Sequence, residues 1–132
     1  MILKGRKVVG GTAEGEVLVS SDPVSFYGGV DPDTGIIIEP GHACYGQRIS
    51  GKVFIFPTGK GSTVGSYVIY RMKKQCTAPV AIVNVETEAI LATGCAISSI
   101  PLIDRLDLDP LKTLHSGMRA RVLGEKGCIE TI

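Results

Sequence analysis

The run Pro57-Thr58-Gly59-Lys60-Gly61-Ser62-Thr63-Val64-Gly65-Ser66 concentrates the residues best suited to chemistry in this chain. Glycines at 59 and 61 let backbone amides approach a ligand closely, and Lys60 adds a positive charge between them. Ser62 and Thr63 stand where a helix should begin, and a helix N-terminus favours negative charge. The segment therefore reads as an anion site. It is not a Walker phosphate loop, because Lys60 is followed by Gly61 and Phe54 stands where the first glycine is required. The same residues also fit a turn and helix cap with no ligand. A second segment, Ser25-Phe26-Tyr27-Gly28-Gly29-Val30-Asp31-Pro32-Asp33-Thr34-Gly35, reads as a loop between strands. Its Gly28-Gly29 strip offers bare backbone against which a substrate or another chain could press.

The remaining reactive residues form no familiar constellation. Cys44, Cys76, Cys95 and Cys128 lack Cys-x-x-Cys or His/Cys spacing, which argues against zinc or a cluster held by this chain alone. Buried free thiols are the expected state. His42 and Cys44 would share one face of a strand, but neither they nor His115 have a nucleophile partner at a recognised spacing. Asp104-Arg105 and Asp107 to Asp109 read as a solvated polar stretch, with no calcium-loop pattern.

The elements that must position these residues come from 132 residues, enough for one domain spanning 1–132. The apolar fraction is 44% and the charged fraction 20%, which excludes disorder. A net charge of +1 gives no electrostatic case for nucleic acid, and three Phe, four Tyr and no Trp make a poor stacking platform. Met1 to Lys7 has no apolar core of a secretory signal, and no run is long enough to span a bilayer, so a cytoplasmic location is expected.

Short β-branched runs closed by turn residues predict strands at Val8-Val9, Glu16 to Ser20, Gly35 to Glu39 and Lys52 to Phe56. Val80 to Val83 reads as a buried strand, Ala96-Ile97 as another short one, and Arg119 to Leu123 pairs with Cys128 to Ile132 across a turn. Val64, Tyr67, Val68 and Met72 mark one face of a helix capped by Ser62 or Thr63 and stopped by Pro79. Glu86-Thr87-Glu88 opens a second helix running to Ala92, with Gly94 as its stop. The order predicts an α+β architecture, a mixed sheet or squashed barrel with a few helices.

Taken together, Gly11 to Gly15, Ser25 to Gly35, Pro57 to Thr63, Pro79, Asn84 to Glu88 and Ile100 to Asp104 resemble the small subunit of the aconitase X family. The resemblance covers roughly residues 10–105 and leaves the tail from Leu111 out. It implies the swivelling β/β/α domain of aconitase as a separate chain. It further implies a large-subunit partner holding a four-iron–four-sulfur cluster, with none bound by this chain. The implied activity is a hydro-lyase, active only with that partner. Small chains of this kind imply dehydration of (R)-5-phosphomevalonate to trans-anhydromevalonate 5-phosphate in the archaeal modified mevalonate route to isoprenoids. Dehydration of cis-3-hydroxy-L-proline is the alternative within the family, and a non-catalytic anion-binding regulatory module the alternative outside it. Ser62 matches the family's serine base. Lys60 stands where many relatives carry arginine, and keeps the charge but not the bidentate fork. Lys60, Gly59, Gly61, Gly28 and Gly29 are the candidate substrate-binding residues, for a phosphorylated hydroxy acid.

Overall fold

Alternating and β-branched runs set the strands of the protein, whose residues 1–132 are all described by a computed structural model. Strands β1 (Ile2–Lys4), β2 (Arg6–Val9) and β3 (Thr12–Val19) open the chain. A helical turn, α1 (Phe26–Gly29), leads into a small ribbon of β4 (Val30–Asp31) and β5 (Ile36–Ile37). Then come β6 (Val53–Phe56), α2 (Gly65–Lys74), β7 (Ala81–Asn84), α3 (Ala89–Ser98) and β8 (Leu102–Asp104). The chain ends with α4 (Pro110–Thr113), β9 (Arg119–Leu123), a tight 3-10 turn over Gly124–Lys126, and β10 (Cys128–Thr131).

Eight strands form one mixed sheet in the order β1-β10-β9-β3-β6-β7-β8-β2. Strands β3, β6, β7 and β8 are parallel neighbours, and the other pairs are antiparallel. The two end strands, β1 and β2, are consecutive in the chain, with only Gly5 between them. One N-terminal segment therefore closes the sheet into a flattened barrel. Gly5 sits at the seam, where its N–H donates to the Gly127 carbonyl at 2.8 Å. A Cβ there would overlap the Asp104 carbonyl oxygen and lie 2.7 Å from Leu106 Cδ2, so no side chain fits.

Period-two alternation on β6 divides the core into two layers. Val53 and Ile55 point into the barrel with Leu3, Val17, Val83 and Val122, while Phe54 and Phe56 face the helices with Ile82, Ile69, Met72 and Leu91. The result is a β/β/α stack. All four β6 side chains are fully buried, each worth roughly 1.5–3 kcal/mol in transfer free energy.

The second helix departs from the pattern read in the sequence. It spans Ala89–Ser98, so Gly94 lies inside it and the expected strand at Ala96-Ile97 is helical. Gly94 is retained by packing: a Cβ would lie 2.7 Å from Ile69 Cδ1 and 3.1 Å from Ser66 Cα, where α2 crosses α3. The stop is Ser99, in the left-handed conformation at φ +55, with Ile100 N–H returning to the Cys95 carbonyl. Helix α2 likewise ends at Lys74, ahead of Pro79, with Cys76 left-handed at φ +61. The expected strand from Gly35 to Glu39 shrinks to Ile36–Ile37, because its ladder with β4 is two residues long and its other side makes a single bridge, Ile36 to Arg48. No helix is long and apolar enough to cross a membrane.

Candidate active site

The parallel strands β3, β6, β7 and β8 all end at one edge of the barrel, the position where open α/β sheets characteristically bind ligands. The loop after β6 carries residues 57–64, the loop after β7 carries 85–88, and the loop after β3 leads to α1. These loops are stitched together. Val85 and Glu86 donate their N–H groups to the Pro57 carbonyl at 3.0 and 3.2 Å. Val24 and Gly59 form an isolated parallel bridge, with Lys60 N–H donating to the Val24 carbonyl at 3.0 Å. Phe26 packs its ring 6.3 Å from Phe56 and so anchors α1 beside the loop.

The two glycine-rich segments singled out in the sequence are thereby neighbours. A Cβ on Gly61, which has φ +95, would overlap Ser25 Oγ, and Gly65 faces Phe26 and Tyr27. Gly28, at φ +87, has open space around it. Gly59 is buried, and a Cβ there would lie 2.5 Å from Glu88 Oε1. Glu88 itself caps α3, accepting from the N–H groups of Ile90 at 2.8 Å and Leu91 at 2.6 Å. Its carboxylate thus fixes both the helix start and the loop above it.

Ser62 is exposed at the entry to α2. Its Oγ accepts the Val64 N–H at 3.1 Å and its carbonyl accepts the Gly65 N–H at 2.9 Å, so it shapes the turn that leads into α2. The cap position itself is Val64 and no side chain caps the helix, unlike the Ser62 or Thr63 cap read in the sequence. Its hydroxyl proton has no acceptor within the chain, and the N–H groups of Gly61, Ser62 and Thr63 donate to no protein atom. Helix α2 has no acidic residue in its first turn. One backbone donor and the positive end of α2 lie at the Ser62 Oγ with no carboxylate in the first turn of the helix, so negative charge there is less unfavourable than on an ordinary exposed serine.

Lys60 is exposed and pairs with Glu39, Nζ to Oε2 at 3.1 Å. Glu39 also covers Gly29, whose Cβ would lie 3.4 Å from Oε1. The sequence offered no signal for Glu39, which is 21 residues from Lys60 and arrives through a turn after β5. Glu88, in contrast, precedes an apolar run with the spacing of a helix cap.

Arg105 and Asp107 to Asp109 are exposed, as the reading of a solvated polar stretch expects, but Asp104 is not. Asp104 ends β8 fully buried and receives Arg6 Nε at 2.9 Å, the Arg6 terminal nitrogen at 2.8 Å and Thr87 N–H at 2.8 Å. Burial pushes its carboxyl up, yet the Arg6 and Thr87 hydrogen bonds outweigh that and hold it below the usual carboxylate range. Arg105, left-handed at φ +54, binds Glu86 through Nε at 2.9 Å beside this pair.

No group of three His, Cys, Asp or Glu side chains converges in the chain. Cys44, Cys95 and Cys128 are buried apart from one another, and Cys76 is exposed. His42 and Cys44 lie in a turn and not on a strand, linked by Cys44 N–H donating to His42 Nδ1 at 3.0 Å. His42 Nε2 meets the Pro23 carbonyl at 3.0 Å, so both ring nitrogens serve the turn. His115 is exposed, far along the chain from this edge.

This geometry can be set beside known proteins. Residues 2–131 match the model of the aconitase X swivel domain. The chain is 55% identical over 130 residues to the phosphomevalonate dehydratase small subunit of Methanosarcina acetivorans, covering 98% of this chain and 90% of that one. It is 55% identical over 132 residues to the protein of the same name from Thermococcus kodakarensis, covering 100% and 97%. A crystal structure of Thermococcus kodakaraensis aconitase X in its holo form superposes with a TM-score of 0.95 at 53% identity, covering 100% of this chain and 98% of that one. From Ile2 to Thr131, then, this chain belongs to the aconitase X swivel domain family.

Proposed function

We propose that this chain is the small subunit of a phosphomevalonate dehydratase, a hydro-lyase converting (R)-5-phosphomevalonate to trans-anhydromevalonate 5-phosphate. The observation that carries the reading is full-length identity of 52–55% to several curated small subunits of that name. The name small subunit implies a larger partner, which here would complete the active site.

In this reading Ser62, as the alkoxide, removes the proton from the carbon next to the substrate carboxylate, and the tertiary hydroxyl departs from the neighbouring carbon. The two carbons become doubly bonded, and the proton and hydroxide leave as water. An ordinary serine hydroxyl is a poor base at neutral pH, so its deprotonated form must be stabilised. The Val64 N–H and the α2 terminus supply that stabilisation. Lys60 and the backbone of Gly59, Gly61, Gly28 and Gly29 hold the anionic oxygens of the substrate, with Glu88 fixing the position of the loop.

Expulsion of a tertiary hydroxyl calls for an electrophile, and this chain brings no ligand set that fits a metal or cluster. The four-iron–four-sulfur cluster implied by the family resemblance is accordingly assigned to the large subunit. The test is to co-express the chain with the large subunit and assay purified complex for anhydromevalonate phosphate formation, with cis-3-hydroxy-L-proline as control. Turnover of phosphomevalonate by the complex alone is the expected result. Turnover of hydroxyproline only, or of neither, would refute it.

A further inference from the structure

Resting on the assignment of Lys60 to substrate binding, we propose that Glu39 is a positioning residue that tunes affinity: a resident counter-ion that the anionic group of the substrate displaces from Lys60. Four observations meet here. The Glu39 carboxylate bridges the two glycine segments, 3.1 Å from Lys60 Nζ on one side and against Gly29 on the other. Lys60 has no other acidic partner. The α2 terminus beside it carries no acidic residue of its own, and the Gly61, Ser62 and Thr63 N–H groups are free. The local field thus calls for an anion, and the chain supplies one from a distant loop.

Displacement is feasible because the pair is partly solvated, with side-chain exposures of 48% and 30%. Exposed pairs of this kind hold by about 0.2–1 kcal/mol, which corresponds to a factor of about 1.4–5 in an equilibrium constant. A phosphate or carboxylate with additional backbone donors outcompetes one side-chain carboxylate on those terms. Glu39 is held through its backbone, with its carbonyl accepting the His42 N–H at 3.2 Å and the Ile38 N–H donating to the Gly29 carbonyl at 2.9 Å. The carboxylate can therefore swing away while the turn stays in place.

The test uses the two-subunit enzyme and compares Glu39→Gln, Glu39→Asp and Lys60→Met with wild type. The readouts are KM for phosphomevalonate and the inhibition constant of inorganic phosphate. Removing the competitor predicts a fall in both constants for Glu39→Gln, by a factor of about 1.4–5, with Glu39→Asp in between. Structural damage would raise KM, so tighter binding separates the two cases, and co-elution with the large subunit verifies assembly. Unchanged or raised constants for Glu39→Gln, while Lys60→Met raises KM, would overturn the counter-ion role and leave Lys60 in the site. Unchanged constants for Lys60→Met would instead remove Lys60 from substrate binding and the proposal with it.

Discussion

The Val64 N–H donates to Ser62 Oγ at 3.1 Å while the Ser62 proton points to no acceptor in the chain. The hydroxyl is thus wired as a receiver of hydrogen bonds, the arrangement that suits its deprotonated form. In the proposed mechanism one side chain would serve both the turn ahead of α2 and the chemistry, and substitution should separate the two.

Ser62→Ala in the assembled enzyme should lower kcat by at least about a hundredfold, the lower range for removal of a positioned base. Loss of the exposed Val64 N–H to Ser62 Oγ hydrogen bond should lower stability by only about 0.5–1.5 kcal/mol. Steady-state turnover together with thermal unfolding of the same preparation checks both. Near-normal turnover would remove Ser62 from the role of base.

The buried Asp104 gives a pH dependence with a definite sign. Its carboxyl is held below the ordinary value of about 4, so the folded state favours the charged form. The resulting stability is fully present above the unfolded value and is lost as pH falls through the folded one. Asp104→Asn should remove this component, flattening the acid limb of a plot of unfolding midpoint against pH below about 5. Equal steepness in both proteins would contradict the assignment.

Gly94→Ala should destabilise the fold, although helix propensity favours alanine by about 1 kcal/mol. The new Cβ meets Ile69 and the Ser66 backbone, and overpacking of this kind costs about 1–3 kcal/mol. Denaturant unfolding decides, and a stabilised variant would show that α2 can move off α3 without loss.

Thiol reagents should find one fast site in the native chain. Cys76 is exposed, whereas burial pushes the thiols of Cys95 and Cys44 up, and Cys128 is covered by β1. Mass spectrometry after brief maleimide treatment should show a single adduct, abolished by Cys76→Ser. Rapid multiple labelling would mean that the core opens readily.

Much of this architecture was readable from residue pattern. Strand β6 was marked by Val53 to Phe56 and closed by Pro57, and α2 by the spacing of Val64, Val68 and Met72, because burial imposes those periods directly. Gly94 misled, since a glycine kept for helix–helix contact has the same local signature as a helix stop. Asp104 misled likewise: its charge suggests solvent, and its partner Arg6 lies 98 residues away in the chain, on the neighbouring strand β2. In the site, the loop from 57 to 64 was visible as a unit, and the adjacency of Val24 and Ser25 to it was not. That proximity depends on Phe26 packing against Phe56, a contact no local pattern encodes.

The closing seam at Gly5 also has a consequence for how the polypeptide folds as it leaves the ribosome. Ile2 pairs with Glu130, and Arg6 with Asp104, so both flanks of the seam wait for segments synthesised last. The parallel core of β3, β6 and β7 can form first, leaving the opening segment unpaired until translation is nearly finished. Contacts of such sequence separation slow folding. During that interval the margins of β3 and β7, which await β9 and β8, are open edges, and chaperone engagement or premature pairing with a neighbouring nascent chain would act there.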